Sequence, residues 1–196
     1  MHRPVWRRLL FLGCWLVGRI VLALGCRIRI EGEVPSGAAI LVSNHPSYLD
    51  GPLALCISPR VRVIAKPNPY AAVRGAFYLF DAFVTRQGAV PDSRCHLRAG
   101  GLLWIVPEGQ LSPGPMGRAR RGAAQFASET GAPVVPTAMI GTAGPRLREW
   151  RPWRRPRVRI VIGKPRYILP GEDLLEAAHE FMGALSRLSG TPYQPS

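Results

Sequence analysis

From residue 27 onward the chain repeats one arrangement: a short apolar run, a segment of helical spacing or turn residues, then another apolar run. RIRIEG, AAILVSN, VRVIAK, AFVTR, GLLWIV, PVVPTAMIG and RVRIVIG read as strands. DGPLALCIS, PYAAVRGAFYLF, PDSRCHLRAG, RARRGAAQFASETG and the amphipathic GEDLLEAAHEFMGALSRLSG read as helices, with Gly131 placed to end the fourth of them. Strands joined by helical crossovers pair in parallel, because a tight hairpin cannot return the chain in the same direction. The expected fold class is therefore α/β, a single domain with a central, largely parallel mixed sheet flanked by helices. A chain of 196 residues with 47% hydrophobic content can bury one substantial core. No internal repeat, low-complexity tract or interior linker divides it. The expected organisation is an apolar, basic, membrane-associating helix over 1–26, one domain over 27–190 and a loose tail over 191–196.

The helix at the start, MHRPVWRRLLFLGCWLVGRIVLALGC, has Arg3, Arg7 and Arg8 at one end and Arg19 inside its apolar run. No uninterrupted apolar stretch reaches the roughly 18–20 residues that span a bilayer. A cleaved signal sequence fits poorly, because Arg19 falls in its apolar region and no small-x-small site follows. The pattern suits a helix lying in the membrane interface with its guanidinium groups among headgroups, or else one packed on the domain's own core; a tilted spanning anchor is the third option.

The formal net charge is +14, and of 26 basic residues only Lys66 and Lys164 are lysine. Such an excess attracts a polyanion, either nucleic acid or an anionic lipid face. Between Gly144 and Arg159 lie seven arginines and two tryptophans, a composition suited to headgroup-level docking. Together with the apolar first helix this favours a membrane surface with anionic lipids as partner, with no nucleic acid expected. Cys14, Cys26, Cys56 and Cys95 form no CxxC pair and no metal or disulfide spacing, which points to a reducing compartment. The expected location is the inner face of the cytoplasmic membrane, peripheral or monotopic, or held by a single anchor at the start of the chain.

In a parallel α/β sheet the working groups collect beyond the carboxyl ends of the strands. Those positions hold Asn44 and His45, Lys66, Arg86, and Glu108 with Gly109. In LVSNHPSYLD, Asp50 follows His45 by five residues, close enough for the turn to fold a carboxylate onto the imidazole. A carboxylate on one ring nitrogen fixes the tautomer and leaves the other free to accept a proton. SYLD, however, also has the spacing of a capping box, and Asp50 before Gly51 and Pro52 suits an N-cap. Taken alone, the pair favours the helix-cap reading.

Four blocks in order resolve it by resemblance. NHPSYLD resembles the N-H-x-x-x-x-D signature of the glycerolipid acyltransferases, the family that includes lysophosphatidic acid acyltransferases. Lys66 in VIAKPNPY, Gly75 and Arg86 in AFVTRQG are similar to its second block, PEGQLS to its third (P-E-G-T-R-S), and PVVPTAMIG to its fourth. The closing VRIVIGKP also looks like the family's last strand. The resemblance implies His45 as general base and Asp50 as its orienting acid. It implies substrate contacts from Asn44, Lys66, Arg86, Glu108, Gly109 and Ser112, and an acyl-CoA or acyl carrier protein thioester as donor. No metal or redox cofactor is implied. Glu108 has two readings, contact with the acceptor's hydroxyls or pairing with a nearby arginine.

One departure bears on the acceptor. Leu111 stands where the family's third block has its phosphate-holding arginine, and Gln110 stands for the threonine before it. That removes a bidentate donor as well as a charge. Arg118, Arg120 and Arg121 lie close enough in sequence to substitute. The expected activity is transfer of a fatty acyl chain to a lysolipid hydroxyl, 1-acylglycerol-3-phosphate first. The alternatives are a phosphate-free acceptor, such as a lyso-aminolipid, a glycolipid or a specialised metabolite, and a non-catalytic basic module binding lipid or nucleic acid. His96 and His179, in helical segments without matching partners, read as structural.

Overall fold

The computed structural model describes residues 5–66, 82–84, 89–143 and 155–195. Among these, seven strands form one sheet: β1 (Arg27–Glu31), β2 (Ala39–Val42), β3 (Val61–Ala65), β4 (Phe83–Val84), β5 (Leu102–Ile105), β6 (Val134–Ile140) and β7 (Arg157–Ile162). Their spatial order is β1-β7-β6-β2-β5-β3-β4. Every neighbouring pair is parallel except β6–β7. This is the expected mixed, largely parallel sheet. The central strands β2 and β5 are buried along their whole length, as continuous apolar runs covered on both faces must be. Towards the edge, β7 alternates exposed Arg157 and Arg159 with buried Val158 and Ile160.

The described helices are α1 (Val5–Gly25), α2 (Asp50–Leu55), α3 (Ala89–Arg98), α4 (Gly122–Thr130) and α5 (Leu174–Ser189). Leu41, Leu53, Trp104, Met139 and Ile160 form the core on the face covered by α1 and α2. Ile40, Val42, Leu103, Phe126 and Phe181 form the core on the opposite face, beneath α3, α4 and α5. The helix expected over PYAAVRGAFYLF, Gly75 in it, and most of the arginine-tryptophan segment lie outside the described residues.

Three expectations need correction. The helix expected to start at Arg118 starts at Gly122, because Met116 and Ala119 are buried while Arg118 and Arg120 face solvent, a spacing the chain meets here without helical turns. The same helix does end at Gly131, whose φ of 70° supplies the left-handed cap. The tail expected to be loose is paired instead: Met116 N–H donates to Pro192 O at 2.8 Å and Gln194 N–H to Met116 O at 2.9 Å.

The third correction concerns the first helix. Among the described residues no helix is long and apolar enough to cross a membrane. Instead α1 packs one side on the domain, with Phe11 buried, Trp15 set against the core, and the Trp15 indole N–H donating to Leu55 O at 2.6 Å. Its other side leaves Trp6, Leu9, Leu16, Val17, Ile20 and Leu24 exposed.

Candidate active site

The carboxyl ends of β2 and β5, adjacent and parallel, deliver the first and third sequence blocks side by side. Beyond β2, Ser43 N–H continues the pairing by donating to Ile105 O at 3.0 Å. Asn44 follows, buried to 3% exposure, and its amide acts like one more rung of the sheet. Its Nδ2 donates to Met139 O at 2.9 Å and its Oδ1 accepts from Met139 N–H at 2.8 Å. Both ends of this amide are engaged by β6, which fixes where the next residue emerges.

That next residue is His45. Its Nδ1 lies 3.0 Å from Asp50 Oδ2, and the side chains are 20% and 0% exposed respectively. The same Oδ2 accepts the Ser47 backbone N–H at 2.7 Å, while Ser47 Oγ accepts from Leu49 N–H at 3.2 Å. One carboxylate oxygen thus closes the turn before α2 and also holds the imidazole, while α2 has Leu49 as its N-cap and no side-chain cap bond. A hydrogen on Nδ1 leaves Nε2 as the basic atom. The other Asp50 oxygen, Oδ1, is buried and without a hydrogen-bond partner among the described residues. Trp104 meets the imidazole edge-on, with ring centroids 5.8 Å apart and planes at 85°. The sequence marked this tryptophan only as part of a buried strand. Its register opposite Leu41, four residues before His45 on the neighbouring strand, is what brings it there.

The third block folds as a tight loop around Glu108. Glu108 is 3% exposed, and its Oε2 accepts from Ser112 Oγ at 2.6 Å and from Gly117 N–H at 2.8 Å. Among the described residues it pairs with no arginine, and its Oε1 is buried without a partner. Ser112 N–H donates to His45 O at 2.8 Å, so the two loops are clipped together through their main chains. Gly109 adopts φ 67°, and a β-carbon there would lie 3.3 Å from the Arg120 guanidinium carbon. Glycine is needed both for that backbone conformation and for the approach of Arg120. Arg118, Arg120 and Arg121 are exposed and, among the described residues, form no ion pair.

One further sequence candidate is not joined to this cluster among the described residues. Lys66 is exposed at the end of β3, with β5 standing between β3 and β2, and no described contact links it to His45. Arg86 lies outside the described residues.

An apolar cavity of about 270 Å³ runs between α1 and α2, lined by Trp15, Gly18, Leu22, Pro52, Leu55 and Val63 among others. It begins beside Gly51, the residue after Asp50. Cys56 also lines it, but burial pushes that thiol up to about 11, so it is protonated at neutral pH and is no nucleophile. The four cysteines are all free thiols.

A mixed α/β sheet carrying a carboxylate-held histidine beyond one central strand and a buried glutamate loop beyond the next defines a class, that of proteins equipped for proton abstraction beside an apolar slot. Residues 27–140 match the family described as Acyltransferase, and the chain belongs to it. It is 29% identical over 135 residues to the chloroplastic 1-acyl-sn-glycerol-3-phosphate acyltransferase of Arabidopsis thaliana, a match covering 59% of this chain and 36% of that protein. It is 30% identical over 138 residues to the lyso-ornithine lipid O-acyltransferase of Pseudomonas aeruginosa, covering 64% of this chain and 52% of that one. The aligned region thus spans between about a third and about half the length of these two relatives. In fold the chain is similar to the crystal structure of the 1-acyl-sn-glycerophosphate acyltransferase of Thermotoga maritima, with a TM-score of 0.71, 21% identity, and 97% of this chain and 84% of that chain covered.

Proposed function

We propose that this protein transfers a fatty acyl group from a thioester, acyl-CoA or acyl carrier protein, to the hydroxyl of a lysolipid. The observation that carries the reading is the Asp50–His45 pair at 3.0 Å, its imidazole 20% exposed and its main chain clipped through Ser112 to the Glu108 loop. In this mechanism Nε2 takes the acceptor's hydroxyl proton as that oxygen attacks the thioester carbonyl carbon. The new C–O bond forms a tetrahedral oxyanion, its collapse breaks the C–S bond, and the imidazolium returns its proton to the departing thiolate. Asp50 holds the tautomer and balances the imidazolium charge while it exists. The apolar cavity along α2 supports a place for the acyl chain beside the reacting carbon.

The acceptor we favour is 1-acylglycerol-3-phosphate. Its phosphate would meet Arg120, which packs on Gly109 at the head of the loop, together with Arg118 and Arg121, which form no ion pair among the described residues. Leu111 favours a second reading in which the acceptor lacks a phosphate; the similar Pseudomonas protein is a lyso-ornithine lipid O-acyltransferase. The exposed apolar side of α1 supports docking on a lipid surface, the cytoplasmic face of the membrane in our reading, with the helix lying in the interface.

Thiol release from acyl-CoA by the detergent-purified protein, measured across phosphate-bearing and phosphate-free lysolipids beside His45→Ala, tests this. Release that depends on 1-acylglycerol-3-phosphate and disappears in His45→Ala is the expected result. Release with phosphate-free acceptors alone would move the assignment to the second reading. A folded wild type that turns over no thioester with any acceptor would refute acyl transfer.

A further inference from the structure

The paired segment after α5 reaches the loop that carries the three unpaired arginines. Met116, fully buried among Ala119, Ala138, Met182 and Leu185, exchanges backbone hydrogen bonds with Pro192 and Gln194 on either side of Tyr193. The half-buried Tyr193 hydroxyl makes a short hydrogen bond with Nδ1 of His179 on α5, and the two rings lie 5.9 Å apart. Burial raises the pKa of this hydroxyl above the usual phenol value, and the negative charge of Glu108 pushes the same way. Gly117, the residue after Met116, donates its N–H to the Glu108 carboxylate, and Arg118, Arg120 and Arg121 follow directly.

We propose that Tyr193 and His179 are positioning residues for the acceptor, acting through residues 116–121 to set where the arginines and the Glu108 carboxylate stand. Burial of Met116 and Ala119 and the Gly117 N–H bond to Glu108 hold this loop from within. The Tyr193–His179 link adds a tie from outside it, joining the strip paired with Met116 to α5. The proposal rests on the reading that these arginines receive the acceptor's headgroup. His179 thus has more to do than fill α5, the structural role its sequence context suggests.

Steady-state kinetics on the full chain test it, with Tyr193→Phe and His179→Ala as disrupting variants and His179→Asn as the conservative one, since an asparagine amide sits where Nδ1 does. The expected result for both disrupting variants is an acceptor KM raised about fivefold, the order of one lost hydrogen bond. The KM for acyl-CoA and thioester hydrolysis without acceptor stay within about twofold of wild type on the same scale. His179→Asn restores the acceptor KM. An unchanged acceptor KM in Tyr193→Phe overturns the proposal, and so does a loss in which both KM values rise, kcat and Tm fall with them, and His179→Asn rescues nothing. Arg120→Ala with Arg121→Ala separates this from the reading beneath it. If those leave the acceptor KM unchanged, the headgroup assignment falls; if they raise it while Tyr193→Phe does not, the positioning proposal alone falls.

Discussion

Asp50→Asn is the substitution that separates a charge from a shape. The asparagine carbonyl can occupy the place of Oδ2 and still accept from Ser47 N–H and His45 Nδ1–H, so the turn at the start of α2 survives. The amide nitrogen then falls at Oδ1, a buried position without a partner, which costs about 1–2 kcal/mol of stability as an unsatisfied donor. The chemistry loses the carboxylate's attraction for the imidazolium. With Nδ1 and Oδ2 3.0 Å apart, the charge centres lie about 4 Å from each other, and at an effective dielectric of about 20 the attraction is about 4 kcal/mol. Because His45 is 20% exposed, solvent reduces this to about 2–4 kcal/mol, roughly 30-fold to 1000-fold in kcat. The assay is thiol release from acyl-CoA at saturating acceptor, with Tm measured on the same preparations. The expected outcome is a kcat about one and a half to three decades down on that estimate, KM values within about twofold, and a lower Tm. A folded Asp50→Asn variant within about threefold of the wild-type kcat would show that Asp50 serves the turn alone, and the base would have to be sought elsewhere.

Asn44→Ala should be costly for stability, because it leaves both the N–H and the carbonyl of Met139 without their partners in a buried position; a loss of about 2–4 kcal/mol in urea unfolding is expected, and a loss below about 1 kcal/mol would contradict the role given to this amide. Leu16→Glu with Val17→Glu, on the exposed side of α1, should leave Tm and the turnover of detergent-dispersed substrate unchanged while cutting sedimentation with anionic phospholipid vesicles at least about tenfold. Equal vesicle binding by the double variant would remove α1 from the membrane reading.

The strand alternation was legible because each strand carries its own apolar run, and the central strands are apolar throughout because both their faces are covered. The His45–Asp50 pair was legible for a related reason: its partners are five residues apart, so local spacing encodes it. What the sequence hid lies in contacts between distant segments. Asn44 meets Met139 across 95 residues, and its amide could not be seen as a rung of the sheet before β6 was known to lie beside β2. Trp104 reaches the imidazole only through the β2–β5 register. The segment TPYQPS has the turn-rich composition of a disordered end, and the pairing that orders it is main-chain hydrogen bonding to Met116, to which side-chain identity contributes little. The start of α4 was misplaced because RARRGAAQF has helical propensity throughout, and the demand to bury Met116 and Ala119 overrides it.

The clip between the two loops is a bond from one peptide group to another, Ser112 N–H to His45 O. Backbone groups are the same whatever side chains they bear, so Gln110 and Leu111 can stand where the family has threonine and arginine without shifting the histidine. In a protein built this way, the choice of headgroup can drift through single substitutions in one loop while the proton-transfer apparatus in the other stays in register, and a new lipid specificity needs no new catalyst.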